Sequence, residues 1–225
     1  MKQIIMEVKG VSKQFILGDQ TIAVLRNIDL TVEKGEFISI MGPSGSGKST
    51  LLYLMGGLDK VSQGEILLNG KNISRLKDEH ESAMRRKEIG FVFQSYNLID
   101  NLTVEENILL PVLLDGRKKR EVMGEVENLM KAVGLFERRK HTPRELSGGQ
   151  QQRTAIARAL INRPDILFAD EPIGNLDSKT GTEILELLKK INREQGITIL
   201  MVTHSEESAA CGNRIIHLKD GVISD

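Results

Sequence analysis

The sequence has little cysteine, no excess charge of either sign and no long apolar run. Its 225 residues include one cysteine, Cys211, which excludes an internal disulfide and a cysteine-rich zinc site. Lys plus Arg and Asp plus Glu both number 31, so the formal net charge is zero. A surface that coats nucleic acid would show a basic excess. We therefore expect no nucleic-acid partner.

The apolar segments are too short to span a membrane. The longest one, Ile108–Leu114, contains Pro111, whereas a spanning helix needs about 20 apolar residues. Charged residues at Lys2 and Glu7 interrupt the N-terminal segment too early for a signal peptide. We expect a cytoplasmic location, and any work at a membrane would need other chains to span it.

Short β-rich runs alternate with helical patterns, which predicts an α/β sheet domain. The run Ile166–Ala169 is apolar throughout, as expected of a central strand that is covered on both faces. The predicted strands are Ile4–Val8, Ala23–Leu30, Phe37–Met41, Glu65–Leu68, Ile89–Phe93, Ile166–Ala169, Thr198–Val202 and Arg214–Leu218.

The pattern becomes helical between Gln94 and Leu146, which predicts a helical subdomain inserted into the sheet domain. We expect a single domain over residues 1–225, with an α/β core at 1–94 and 159–225 and the subdomain at 95–158. A later helix carries apolar residues from Ile184 to Ile191 on one face, and Thr180–Glu183 matches a capping box at its start.

A phosphate-binding loop follows the strand Phe37–Met41 and precedes a helix predicted from Lys48 to about Gly56. Its residues fit the pattern G-x-x-x-x-G-K-[ST] in full: Gly42, Pro43, Ser44, Gly45, Ser46, Gly47, Lys48 and Ser49. Backbone N–H groups of such a loop point at phosphate oxygens beside a helix N-terminus. Lys48 would contact the β- and γ-phosphates, and Ser49 would offer its hydroxyl to Mg²⁺. The loop predicts binding of ATP or GTP.

Two adjacent acids, Asp170 and Glu171, end the strand Ile166–Ala169. An acid at a strand end is common, but beside a phosphate loop an acid on a neighbouring strand is what Mg²⁺ needs. Glu171 projects differently from Asp170 and is placed to polarise an attacking water. We expect Asp170 to serve the metal and Glu171 to act as general base.

A second Gly-rich turn, Leu146–Gln150, lies about a hundred residues after the phosphate loop and also precedes an apolar helical stretch. Such a helix N-terminus suits an anion. Taken alone, a plain turn before a helix is the favoured interpretation.

Together, these motifs resemble those of the nucleotide-binding subunit of an ATP-binding-cassette (ABC) transporter, over nearly the whole chain. Gln94 resembles the glutamine loop, Leu146–Gln150 the signature, Asn175-Leu176-Asp177 the D-loop and His204 the switch histidine. The resemblance implies an α/β P-loop NTPase fold, with a RecA-like core, additional antiparallel β strands and an inserted helical subdomain.

The resemblance also implies roles for single residues. Phe15 takes the place of an aromatic residue, usually Tyr, that stacks on adenine, although ordinary core packing is the alternative. Gln94 would reach Mg²⁺ and the attacking water, and His204 the γ-phosphate. Asp177 would lie across a dimer seam, unless it merely caps the next helix.

The implied site contains ATP and Mg²⁺. Catalysis is assigned to Lys48, Glu171 and His204, and the metal to Ser49, Gln94 and Asp170. The cofactor-binding residues are Phe15, Gly42, Pro43, Ser44, Gly45, Ser46, Gly47, Lys48, Ser49, Thr50, Gln94, Ser147, Gly148, Gly149, Gln150 and Asp177.

The implied partners are a second copy of the chain, which closes head to tail around ATP, and integral membrane permease subunits, which would hold the protein at the inner face of the membrane. Gly174–Asp177 and Gln150–Arg153 resemble the branch of lipoprotein-releasing, macrolide-exporting and antimicrobial-peptide-resistance systems, which favours export or extraction. Ile173 departs from the more usual Thr, with little expected effect. The alternatives are a non-transport ATPase in chromosome maintenance or translation, and an ATP-binding scaffold in cell division.

Overall fold

The computed structural model describes residues 3–224, except for the side chain of Asp78, and contains two β-sheets. The predicted domain ends, residues 1, 2 and 225, lie outside the described residues, as does the early charge at Lys2. The first sheet is antiparallel with the strand order β2-β1-β4-β5. Its strands are β1 (Ile4–Leu17), β2 (Gln20–Glu33), β4 (Gln63–Leu68) and β5 (Lys71–Asn72).

The second sheet has the strand order β10-β9-β3-β8-β7-β6, and all its pairs are parallel except β10 with β9. Its strands are β3 (Phe37–Met41), β6 (Ile89–Val92), β7 (Ile166–Asp170), β8 (Thr198–Val202), β9 (Arg214–Lys219) and β10 (Val222–Ser224). Every residue of β3, β7 and β8 is buried, because both faces of this sheet are covered. Parallel strands end at the same edge, so Gly42, Glu171 and Thr203 follow neighbouring strands there.

The helices pack on this sheet and on one another. They are α1 (Lys48–Met55), α2 (Asp78–Lys87), α3 (Val104–Leu114), α4 (Lys119–Ala132), α5 (Gly148–Leu160), α6 (Ser178–Gln195) and α7 (Glu206–Ala209). Pro111 lies inside α3, so the predicted apolar run is part of a helix. Within residues 3–224, no helix has the length and the apolar character needed to cross a membrane.

Helix α5 is shared by two hydrophobic cores. Ile156 and Leu160 pack in the cluster formed with β7, β8 and α6. Ala157, one position away, packs in the cluster formed by α3 and α4. Helix α5 runs without interruption through residue 158, so no break in secondary structure marks the predicted boundary at 158/159. The boundaries at 94/95 and 158/159 stay a prediction.

The start of α6 differs from the prediction. The N-cap is Asp177, whose Oδ1 accepts a hydrogen bond from the backbone N–H of Thr180 at 3.0 Å. The predicted capping box at Thr180–Glu183 is therefore wrong, because these residues already lie in the first turns of the helix. The alternative that Asp177 caps the helix is confirmed.

The first two strands are much longer than predicted. Gly10 adopts a left-handed φ of 57°, and the register between β1 and β2 shifts on both sides of Val11. These irregularities break the alternation of apolar and polar residues that marks a strand in a sequence. The structure adds β5 and β10, which are too short to give such a pattern.

Candidate nucleotide-binding site

The loop between β3 and α1 is built so that glycine is required at two positions. Gly47, the N-cap of α1, has a left-handed φ of 100°. A Cβ atom on Gly42 would overlap the backbone carbonyl oxygen of Leu218 in β9. The loop therefore passes close under β9, which leaves its other face toward the cavity described below.

Lys48 is held under this loop and is 7% exposed. Its Nζ donates to the backbone carbonyl oxygens of Gly42 at 2.8 Å and Pro43 at 2.9 Å. Among the described residues, no carboxylate pairs with this ammonium, and the buried hydroxyl of Ser46 has no hydrogen-bond partner. A buried cation and an unpaired hydroxyl beside a helix N-terminus fit an anionic phosphate group.

Asp170, at the end of β7, accepts hydrogen bonds from two hydroxyl groups of α1. Ser49 Oγ donates to Oδ1 at 2.8 Å, and Tyr53 OH donates to Oδ2 at 2.7 Å. Burial and the hydrogen bond to the Asp170 carboxylate raise the pKa of Tyr53 to about 12. Ser49 and Tyr53 lie four residues apart, so both project from one face of α1 toward β7.

Two of these groups, the hydroxyl of Ser49 and the carboxylate of Asp170, fit Mg²⁺. The described residues contain no cluster of three or more His, Cys, Asp or Glu side chains that could hold a metal ion alone. Mg²⁺ is usually bound by one or two protein oxygens together with nucleotide phosphates. The hydroxyl of Ser49 and the carboxylate of Asp170 are ligands of that kind.

Glu171 and His204 contact each other in the wall of the cavity. Glu171 adopts a left-handed φ of 45°, which turns the backbone away from the line of β7. Its Oε2 lies 3.2 Å from Nδ1 of the exposed His204. The cavity has a volume of about 540 Å³ and is lined by Val24, Ser44, Gly45, Gly47, Lys48, Ser49, Thr50, Glu171 and His204.

Gln94 lies two residues after β6 and is hydrogen-bonded to the predicted D-loop. Its backbone carbonyl oxygen accepts a hydrogen bond from Asn175 Nδ2 at 3.0 Å, and its Nε2 donates to Asn175 Oδ1 at 3.5 Å. The glutamine and the segment after Glu171 are therefore brought together, as a shared site requires.

Phe15 does not pack in a core, because its side chain is 39% exposed. Lys13 Nζ lies 4.8 Å from the centre of its ring, so one ring face already meets a cation. Its proposed contact with adenine stays a prediction.

The second Gly-rich turn forms a complete helix cap away from this cavity. Ser147 is the N-cap of α5: its Oγ accepts from the backbone N–H of Gln150 at 3.3 Å, and its own N–H donates to Gln150 Oε1 at 3.0 Å. The side chain of Asp177 caps α6. None of the described residues that line the cavity belongs to the turn at 146–150.

Sequence reasoning missed Tyr53 and Val24. Tyr53 had a signal, since it lies at i+4 from Ser49 on the same helical face. Val24 had none, because it reaches the cavity only through the hairpin of β1 and β2.

The chain is similar in sequence to known ATP-binding proteins. A family model described as ABC transporter matches residues 25–174. The macrolide export ATP-binding/permease protein MacB of Bdellovibrio bacteriovorus is 48% identical over 219 residues, which cover 96% of this chain and 33% of that protein. An uncharacterized ABC transporter ATP-binding protein of Methanocaldococcus jannaschii, MJ0796, is 48% identical, with coverage of 96% of this chain and 94% of that protein. The chain thus spans about a third of MacB and nearly all of MJ0796.

Among solved structures, a dimeric post-hydrolysis state of the ATP-binding cassette MJ0796 bound to ADP and Pi has a TM-score of 0.91 and 45% identity to this chain. The match covers 98% of this chain and 97% of that one. The fold class predicted from the sequence is confirmed.

Proposed function

Because this chain belongs to the ABC transporter family, we propose that two copies of it close head to tail around ATP, hydrolyse it and thereby drive a membrane permease. The observation that carries the proposal is the separation of the cavity at Lys48 from the second Gly-rich turn, a helix N-terminus of the kind that suits an anion. The cavity beside Lys48 is lined by Glu171 and by Ser49, which donates to Asp170, but by no part of the turn at Ser147. A second chain can bring its own Ser147 turn to that cavity, and a two-fold arrangement completes both sites equally.

The proposed roles combine this geometry with the family resemblance. Lys48 and the loop amides bind the phosphates, while the oxygens of Ser49 and Asp170 hold Mg²⁺ with help from Gln94. When bound, Mg²⁺ supplies positive charge against the phosphate oxygens. Glu171 accepts a proton from the attacking water, because its carboxylate projects into the cavity.

His204 is assigned to orientation and charge. Its Nδ1 lies 3.2 Å from Glu171, which leaves the other ring nitrogen for the γ-phosphate. Preorganised contacts of this kind typically contribute about 10²–10³-fold to a rate. His204 would thus connect the base and the group that is attacked.

A mixing experiment tests the shared site. Lys48→Ala removes the phosphate-loop function of one chain, and Ser147→Arg blocks the exposed turn of another. Each variant alone should hydrolyse ATP at least about 10²-fold more slowly than the wild type. An equal mixture should recover up to a quarter of the wild-type rate per chain, because half of the dimers are mixed and each has one complete site.

The control replaces the Lys48→Ala chain by a chain with both changes. No complete site can then form in any dimer, and the mixture should stay at background. Head-to-tail closure is wrong if the first mixture shows no recovery although both variants are folded by circular dichroism.

An apolar groove supports a membrane partner. A cavity of about 480 Å³ lies between α2, β6, α3 and α5, and its rim includes the exposed side chains of Leu58 and Leu114. Arg158 in its wall donates to the carbonyl oxygens of Tyr96 and Asn97 at 2.9 Å and 2.6 Å, in the segment after Gln94. We assign the groove to a cytoplasmic segment of the permease, which would act on Gln94 through this segment.

The relatives named MacB join an ATP-binding part to a permease part in one protein, and this chain corresponds to about a third of their length. We propose that its permease exports or extracts a peptide, lipoprotein or antibiotic.

Leu114→Asp should abolish co-purification with an integral membrane chain, whereas Ile16→Asp, at an exposed apolar position on β1, should not. Retention of the membrane chain by Leu114→Asp would place the contact elsewhere.

A further inference from the structure

Gln152 in α5 has a fully buried side-chain amide, of which the nitrogen forms a hydrogen bond and the oxygen does not. Its side chain is 0% exposed. Nε2 donates to the backbone carbonyl oxygen of Pro172 at 2.6 Å, whereas Oε1 has no hydrogen-bond partner among the described residues. Burying an unpaired acceptor is unfavourable, and an apolar side chain of the same size would avoid it. Packing alone therefore does not account for glutamine at this position.

The bond connects two segments that have different tasks. Gln152 lies five residues after Ser147, in the first turns of the helix that the Gly-rich turn begins. Pro172 directly follows Glu171, whose left-handed φ of 45° is a strained conformation for a residue with a side chain. Gln152 thus holds the carbonyl group of the residue that follows the strained one.

Further contacts connect the same two segments. A Cβ atom on Gly148 would lie 3.1 Å from the side chain of Leu176, and one on Gly149 would overlap the side chain of Thr180. The turn at 147–149 therefore rests directly on the segment that leads from Glu171 into α6. Among these contacts, the bond from Gln152 reaches closest to Glu171 along the chain.

We propose that Gln152 is a positioning residue that makes hydrolysis at one ATP site depend on the other. The inference rests on the proposed head-to-tail dimer. In that dimer, the Ser147 turn of a chain serves the nucleotide of its partner, whereas Glu171 of the same chain serves its own. When the turn closes on the partner's phosphates, α5 moves as a rigid element, and Gln152 passes this movement to Pro172 and Glu171.

The experiment measures the ATPase rate against ATP concentration for the purified full chain. The wild type should show a Hill coefficient near the two-site limit of about 2, and Gln152→Leu should lower it toward about 1. Thermal unfolding should show that the variant still folds, because leucine fills the space and removes the unpaired acceptor, while the carbonyl oxygen of Pro172 loses its donor. Gln152→Met repeats the test with a different apolar shape, in case leucine repacks.

Thr154→Val is the matched control. Thr154 is also 0% exposed in α5, but its Oγ1 donates only to the carbonyl oxygen of Gln150 in the same helix. This variant should keep the wild-type Hill coefficient. The inference is overturned if Gln152→Leu and Gln152→Met keep it as well, or if the wild type itself shows a value near 1.

A Glu171→Gln background separates this inference from the proposed function. With Mg-ATP, Glu171→Gln should form dimers in size-exclusion chromatography, and Glu171→Gln with Gln152→Leu should form them equally well. If Glu171→Gln stays monomeric, the head-to-tail dimer fails and the inference fails with it. If dimers form and the Hill coefficient of Gln152→Leu is unchanged, only the role of Gln152 is refuted.

Discussion

Replacing Tyr53 by phenylalanine tests the network that holds Asp170. The change removes one hydroxyl, whose oxygen lies 2.7 Å from Asp170 Oδ2, and keeps the ring in its contacts with Phe91 and Phe93. Asp170 is 7% exposed and keeps its hydrogen bond from Ser49. The variant therefore isolates a single hydrogen bond to a buried carboxylate.

The pKa of Tyr53 limits the size of the effect. A rise from 10.0 to about 12 corresponds to about 2.7 kcal/mol of preference for the protonated hydroxyl. Burial is the largest cause of this rise, so the hydrogen bond to Asp170 accounts for only part of it. We expect Tyr53→Phe to lower the free energy of unfolding by about 1–2 kcal/mol near neutral pH.

The pH dependence has a definite sign. The folded-state pKa lies above the unfolded value, so the stabilisation by protonated Tyr53 is fully present below pH 10 and is lost as the pH rises toward 12. The difference between wild type and variant should thus be constant around neutral pH and shrink only above pH 10.

Two assays measure these quantities. Urea unfolding followed by circular dichroism gives the difference in stability. The chain has two tyrosines and no tryptophan, so absorbance of tyrosinate follows Tyr53 and Tyr96 alone, and subtracting the variant leaves Tyr53. Tyr96→Phe is the control, because no hydrogen bond from its hydroxyl is seen in the described residues. Equal losses of stability for both variants, or a Tyr53 titration at the ordinary pKa of 10, would refute the reasoning.

Substitutions at two further sites test the phosphate loop and the proposed contact of Phe15 with adenine. Gly42→Ala should lower the free energy of unfolding by about 1–3 kcal/mol and abolish nucleotide binding, because the new methyl group would overlap the Leu218 carbonyl. Gly45→Ala, which has open space around the new Cβ atom, should lower it less. Thermal unfolding and nucleotide titration measure these two effects. Phe15→Ala should weaken ATP binding by about 1–3 kcal/mol through lost stacking, while Phe15→Tyr retains it, measured by calorimetry. Unchanged affinity in Phe15→Ala would remove this residue from the site.

The central sheet and the phosphate loop could be predicted because their signals are local. Phe37–Met41 is apolar except for Ser39 and directly precedes Gly42, and the structure keeps both boundaries of this strand. The strand before Asp170 was predicted for the same reason, and its end differs by one residue. Neighbouring strand ends then bring Lys48, Asp170 and Glu171 together without further information.

Features that depend on distant contacts could not be predicted in this way. The two long strands of the first hairpin are interrupted by Gly10 and by shifts of register, which only the partner strand resolves. The capping box at Thr180 matched a local pattern, yet Asp177 begins the helix one turn earlier. Gln152 looks like any polar residue of a helix in the sequence, and its bond to Pro172 appears only when α5 packs beside β7.

The position of α5 between two cores also restricts how the molecule can deform. Successive residues of a helix point about 100° apart, so Ile156 and Ala157 fill different cores from adjacent positions. Rolling α5 about its axis would open a cavity on both sides at once, whereas tilting it with α3 and α4 preserves the contacts of Ala157. The packing therefore favours tilting of α5 over rotation about its own axis. We expect the helical layer to unfold together with the sheet, because α5 contributes side chains to both cores.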